Sequence, residues 1–297
     1  MDRVLLFDTS SLFFRAFHAL PAMETTYGQP TSAVYGLSVQ WLQLLREQRP
    51  IGIAFALDAP QATFRRAQYA EYKAHRPAVP DALRAQWHLL DRWLDAAGAP
   101  HFAAAGFEAD DVLATLSRQI SAQGSAVRLV TGDRDLFQAV EPNVDVWFVG
   151  RRGQKPILYD VEGISARFGL RPDQLPSFVA LIGDPSDNLP GVPGIGPKTA
   201  TKLIRTYGSI GELVANLTGV ESPVLRQVLT QLRAQLLQNE TLARLRFDVP
   251  LTEGARYAYP SAHAFAQLRA LFVELEFTSL LARLDRLSES SPATNAR

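Results

Sequence analysis

Short runs of consecutive apolar residues alternate with longer stretches of helical periodicity through the first half of this chain. Four runs read as strands, at residues 4–7, 51–57, 127–130 and 144–149. Their near-continuous hydrophobicity suits strands buried on both faces, which is the condition of a parallel sheet. Between them, residues 33–48, 81–97 and 108–122 repeat apolar positions at helical spacing. The pattern predicts an α/β fold, a mostly parallel central sheet with helices on both faces. From about residue 160 the strand signals fade, and helices are expected at 161–168, 175–181, 198–207, 209–217, 223–239 and 262–284. An α/β domain over 1–160 is therefore followed by a helical region over 161–287. Residues 288–297 carry Ser, Pro and Asn without periodicity and are expected to be a disordered tail.

Composition narrows the class. With 297 residues, 47% hydrophobic and 20% charged, the chain is ordinary globular protein. No apolar run approaches the roughly 18 residues of a membrane helix, so no membrane partner is expected. Met1-Asp2-Arg3 and four apolar residues before Asp8 are too short and too acidic for a signal peptide. The absence of cysteine removes disulfides, thiolate ligands and a cysteine nucleophile. A soluble cytoplasmic monomer is the expectation, and the initiating Met with the loose tail points to a free-standing enzyme rather than an excised region.

The placement of the acids changes this picture. Asp8 and Asp58 end the first two apolar runs, and Asp133 and Asp135 follow the third. Ligands of an open parallel sheet bind beyond the carboxyl ends of its strands, so these acids should converge. Glu108, Asp110 and Asp111 open a helix, where acids also favour the helix dipole. Asp184 and Asp187 lie in Gly183-Asp184-Pro185-Ser186-Asp187-Asn188, where turn chemistry is the plainer reading. Helix-dipole and turn preferences do not explain the strand-end acids, which repel one another unless a positive charge lies between them. An oxygen-only set of nine acids suits Mg²⁺ or Mn²⁺, in two or more ions, rather than zinc. The five histidines are scattered and take no metal role. Overall charge is balanced at 30 basic and 30 acidic residues; ions neutralising the nine would leave basic residues in clear excess.

Two further stretches suit a phosphate-rich partner. Phe64 to Arg76 carries Arg65, Arg66, Lys73 and Arg76 with Tyr69 and Tyr72 between them. Helical spacing puts Lys73 and Arg76 on one face, which is either a solvated face or a set of donors above the acids. Gly191, Gly194 and Gly196 crowd six positions before Pro197 and Lys198, a glycine-rich turn opening a helix with free N–H groups. Lys198 and Lys202, with Thr199 beside them, present one face to a duplex backbone. The competing reading is a plain Gly-Pro turn.

Together these motifs resemble the 5′ nucleases, the family that includes the 5′-3′ exonuclease region of bacterial DNA polymerase I and the flap endonucleases. The resemblance rests on Phe7-Asp8-Thr9-Ser10-Ser11 with Arg15, residues 54–58, 69–76, Glu108-Ala109-Asp110-Asp111 and Thr131-Gly132-Asp133-Arg134-Asp135. It continues through 183–200 and the closing 268–281, in order over about 290 residues. It implies that Asp8, Asp58, Glu108 and Asp110 hold one metal ion. Asp133, Asp135 and Asp184 would hold the second, with Asp111 and Asp187 acting directly or through water. It puts residues 60–90 in a flexible helical arch with Lys73 and Arg76 on the scissile phosphate. Arg15 and Phe17 would lie near the 5′ nucleotide, where Phe17 as a core residue is an equal rival. It makes 175–207 a helix-hairpin-helix holding K⁺ and gripping duplex DNA. The implied activity is cleavage at 5′ flaps, nicks, ends and RNA primer–DNA junctions, in primer removal and repair, in a bacterial nucleoid. A catalytically silent junction binder and an acid-rich phosphatase on a doubly wound sheet are the alternatives. The intact acids argue against the first, and the glycine-rich hairpin and basic stretch are unexplained by the second.

Overall fold

A computed structural model describes residues 3–150, 154–252 and 254–290. Its sheet comprises β1 (Arg3–Asp8), β2 (Gly52–Ala56), β3 (His101–Phe102), β4 (Ala126–Thr131), β5 (Val144–Phe148) and β6 (Ile157–Tyr159), ordered β3-β2-β1-β4-β5-β6. The first five pair in parallel, and β6 runs antiparallel along β5. Chain order reverses at β1, which has β2 on one side and β4 on the other. A crevice opens at such a reversal, beyond the carboxyl ends of the strands.

Alternation along β1 builds two cores. Leu5 and Phe7 face one side, with Trp41 and Trp93 of the helices Ser32–Gln48 and Trp87–Ala97. Val4 and Leu6 face the other, against Val112, Leu116 and Ile120 of the helix Ala109–Ala122. A third core lies within the helical region, where Phe178 and Leu181 of the helix Leu175–Ile182 meet Leu203 and Ile204 of the helix Pro197–Tyr207.

Several expectations are corrected. The stretch 262–284 is two helices, Ala262–Glu274 and Thr278–Glu289, broken where Glu276 turns left-handed at φ 61°. Both pack on the Trp41 side of the sheet rather than on the hairpin, so the last part of the region drawn at 161–287 covers the α/β layer. The stretch 223–239 is also two helices, Pro223–Gln231 and Arg233–Ala243, meeting at Leu232. Ser288 and Glu289 belong to the final helix instead of a loose tail, and residues 291–297 lie outside the described residues. Among the described residues no helix is long and apolar enough to cross a membrane.

Candidate active site

The acids at the strand ends do converge. Asp8 ends β1 and caps the helix Thr9–Ala19, its Oδ1 accepting from Ser11 N at 3.1 Å. Its Oδ2 accepts from the Thr131 hydroxyl at 2.5 Å, and that hydroxyl accepts in turn from Asp133 N. Thr131 thus joins β1 to β4 beneath the acids. The sequence places Thr131 in the motif 131–135 without a role, although a threonine closing a buried strand two residues before an acid is a signal for one. Asp58 follows β2 and accepts from Ala109 N at 2.9 Å, tying the start of the helix Ala109–Ala122 to the same edge. Glu108 caps that helix.

Carboxylate oxygens of Asp110, Asp133 and Asp135 lie within 4.8 Å of one another. Asp133 and Asp135 line a cleft of about 580 Å³ together with Asp184, Arg15 and Phe148. Burial pushes the Asp8 carboxyl up to about 7, helped by the charges of Asp133 and Asp58 and opposed by the Thr131 hydroxyl. Burial, then Asp133 with the acids around it, also holds Asp110 and Asp135 well above the usual carboxylate range. Like charges forced together in a closed cleft are unfavourable unless protonated or neutralised. An all-oxygen set under this strain fits a hard divalent cation. Asp184 meets both readings offered for it: its Oδ1 accepts from the N and Oγ of Ser186 at 2.7 Å, an ordinary turn, yet it lines the cleft.

Two of the nine acids are occupied otherwise. Asp111 is fully buried and forked by the Arg65 guanidinium at 2.6 and 2.8 Å, so it faces away from the cleft. Asp187 is buried and accepts from the Tyr72 hydroxyl at 2.7 Å and from Arg76 at 2.8 Å.

The basic stretch differs most from expectation. Only Phe64–Gln68 is helical; turns follow, and Lys73 is left-handed at φ 54°, so Lys73 and Arg76 share no helix face. The cause is packing. Tyr72 turns inward onto Leu189 and Leu242 with Tyr69 beside it, which pulls the chain out of helical geometry. Arg65 and Tyr72, expected on DNA, are 2% and 3% exposed and cannot reach it. Burial followed by Glu108 and Asp187 raises the Tyr72 hydroxyl pKa, keeping it a donor. Arg66 stays exposed. Lys73 Nζ sits 2.7 Å from Glu108; burial disfavours its charge, but Glu108 and Asp187 reverse that and raise its pKa. The turns are fastened to 185–188 by His75 on Pro185 O at 2.7 Å and by Asn188 Nδ2 donating to Glu71 O at 2.9 Å.

Arg15 donates to Gly132 O and lies across that residue, where a Cβ would overlap its guanidinium. Phe17 is half-buried against the Trp41 core, and the exposed ring of its helix is Phe14, tilted against His18 with ring centroids 4.4 Å apart. In the hairpin, Gly194 is exposed with φ 82° and Gly196 caps the helix Pro197–Tyr207, whose first N–H groups lack intrahelical acceptors. Lys198 and Lys202 are exposed and Thr199 is half-buried. Gly191 does something else: a Cβ there would fall 2.3 Å from Ile182 O, so it serves close backbone packing and not approach to a phosphate.

Two family models match the chain in succession. Residues 3–169 match the 5′-3′ exonuclease N-terminal resolvase-like domain, and residues 170–262 match the 5′-3′ exonuclease C-terminal SAM fold. DNA polymerase I of Mycobacterium leprae is 40% identical over 99% of this chain and 32% of its own length. The thermostable DNA polymerase I of Thermus thermophilus is 38% identical over 99% of this chain and 34% of its own. The chain thus spans about a third of these curated relatives. Among solved structures, a bacteriophage T5 flap endonuclease complex with DNA and metal ions superposes with TM-score 0.64 at 18% identity, covering 97% of this chain and 99% of that one. The catalytic core of Rad2 with DNA substrate gives 0.58 at 17%, covering 96% and 92%. Two adjoining domain matches, spanning the whole sheet and the hairpin, establish that the chain belongs to the 5′-3′ exonuclease family.

Proposed function

We propose that this chain is a divalent-metal-dependent, structure-specific 5′ nuclease, acting as a 5′-3′ exonuclease and flap endonuclease where a 5′ single strand meets duplex. The observation that carries this reading is the clustering of acids from the ends of β1, β2 and β4, near enough for Asp133 and Asp58 to raise the Asp8 carboxyl, with Lys73 and Arg76 on the acids beside them. Asp8, Asp58, Glu108 and Asp110 would hold one Mg²⁺ or Mn²⁺, and Asp133, Asp135 and Asp184 a second. Two such ions supply an activated water and stabilise the leaving oxygen. Thr131 sets the Asp8 carboxylate, and the Asp58 carboxylate sets the helix that carries Asp110. Lys73 and Arg76 rest on Glu108 and Asp187, and they would exchange those partners for the scissile phosphate. Arg66 and the hairpin, through Lys198, Lys202 and the N–H groups after Gly196, would grip the duplex backbone without reading bases. A K⁺ ion at the hairpin carbonyls would support that grip. RNA primers and repair intermediates are the proposed substrates.

A 5′-labelled flap incubated with Mg²⁺, Mn²⁺ or EDTA tests this directly. Cleavage near the junction is expected with either metal and none with EDTA. Asp133→Ala or Asp184→Ala should nearly abolish cleavage while leaving flap binding largely intact. Near-normal turnover in either variant at ordinary Mg²⁺ overturns the two-metal assignment. Release of phosphate from a nucleoside monophosphate, with the flap untouched, would instead indicate a phosphatase.

A further inference from the structure

Three elements distant in sequence meet at the Arg65 guanidinium. Its Nε donates to Leu242 O at 2.8 Å, and its Nη2 to Arg244 O at 3.0 Å and Asp111 Oδ1 at 2.8 Å. Its Nη1 donates to Asp111 Oδ2 at 2.6 Å and lies 3.2 Å from Glu108 Oε2. Four of the five N–H groups of the fork therefore meet acceptors, with Glu108 beside the fifth as an ion-pair partner, and the side chain is 2% exposed. The Asp111 carboxylate is shared further, accepting from Glu108 N at 3.2 Å and Arg246 N at 2.9 Å.

Residues 242–246 form a strap leaving the helix Arg233–Ala243, and the strap is sewn to the opposite side of the cleft as well. Gln138 donates to Ala243 O at 2.8 Å and accepts from Leu245 N at 3.1 Å. Gln138 belongs to the turn Asp135–Ala139, which begins with a cleft carboxylate. One short strap thus fixes both the helix start bearing Glu108 and Asp110 and the turn bearing Asp135. A buried ion pair adds little stability over an apolar replacement, but a bidentate fork fixes orientation.

We propose that Arg65 is a positioning residue for the carboxylate cluster: through Asp111 it clamps the first turn of the helix Ala109–Ala122 to the strap, setting Glu108 and Asp110 against Asp133 and Asp135. Gln138 is its counterpart on the other side. The inference rests on the reading of the cluster as a divalent-cation site.

The test follows Mg²⁺-dependent thermal stabilisation of the full chain without DNA, alongside flap-DNA affinity in Ca²⁺. Arg65→Lys keeps the charge but replaces the fork with a single ammonium. The Mg²⁺ concentration giving half of the stabilisation should rise at least tenfold, while flap affinity stays within threefold. Gln138→Leu should shift the Mg²⁺ midpoint in the same direction, and it decides the matter if Arg65→Lys does not fold. An unchanged Mg²⁺ midpoint in a folded variant overturns the proposal. So does a tenfold loss of flap affinity at an unchanged midpoint, which would make Arg65 a DNA contact. Wild-type protein that Mg²⁺ fails to stabilise would instead overturn the cation site itself, a distinct result.

Discussion

Replacing Asp8 with asparagine should make the metal-free protein more stable at neutral pH. Asp8 is 2% exposed, and its carboxyl is pushed from 3.8 up to about 7 by burial and by Asp133 and Asp58. Because the folded chain holds that proton more tightly than the unfolded chain, the contribution is fully present below pH 3.8 and is lost as pH rises through about 7. A shift of about 3 units corresponds to about 4 kcal/mol by the end of that window. Asparagine removes the titration and fits the site. Its Oδ1 can keep the Ser11 N–H, and its amide can donate to the Thr131 hydroxyl oxygen, which retains a lone pair beyond the one used by Asp133 N, although the hydroxyl proton then loses its carboxylate acceptor and offsets part of the gain. Urea unfolding in EDTA at pH 5.0, 6.0 and 7.5 measures the effect. Wild-type stability should fall across this series more steeply than that of Asp8→Asn, and the variant should lead by about 2–4 kcal/mol at pH 7.5. Asp110 and Asp135 also titrate high, so a residual slope persists in the variant. Added Mg²⁺ should narrow that lead, since a ligand at 100 times its Kd adds about 2.7 kcal/mol to the protein that binds it. A variant no more stable than wild type at pH 7.5 in EDTA, with an identical pH slope, would refute the electrostatic reasoning.

Gly191→Ala places a methyl against the Ile182 carbonyl, where backbone must move on both sides. Urea unfolding should show a loss of about 3 kcal/mol, toward the top of the range for overpacking; a loss below 1 kcal/mol would mean the two segments separate freely. Lys198→Ala should weaken duplex binding alike for all sequences and lower the salt slope by about one unit. Binding titrations between 50 and 200 mM salt on two unrelated duplexes check both points, and an unchanged slope would remove the hairpin from the phosphate backbone.

What the sequence made legible follows from where burial is local and where it is not. Strands β1, β2, β4 and β5 sit inside a parallel sheet, so their apolar runs and terminal acids could be read without neighbours. β3 has two residues, and β6 leaves Ile157 and Leu158 exposed on an antiparallel edge, so neither carries a pattern to find. The helix Thr9–Ala19 opens with Thr-Ser-Ser, residues that favour caps over helix interiors, and it escaped notice. The break at Glu276 has no glycine or proline to announce it. At the cleft, the acids were recognisable one by one from their positions after strands. The fate of Arg65 was not, because an arginine in a basic run looks solvated until Asp111 and a strap some 177 positions away are brought to it. Lys73 shows the same limit: Tyr72 packing on Leu189 and Leu242 overrides helical spacing that the local sequence permits.

The two closing helices bear on the order in which the molecule is assembled during synthesis. Phe265, Leu268, Phe272 and Leu284 cover the same layer as Trp41 and Trp93, yet they are made long after the last strand, Ile157–Tyr159. At roughly 5–20 residues per second, a nascent chain waits on the order of 5 to 25 seconds between completing its sheet and receiving that cover. During this interval the Trp41 face is an uncovered apolar surface on a chain still attached to the ribosome. A transcript truncated before residue 262 would leave it so permanently, and its product should be drawn to chaperones or into aggregates even though every strand and every cleft carboxylate is present.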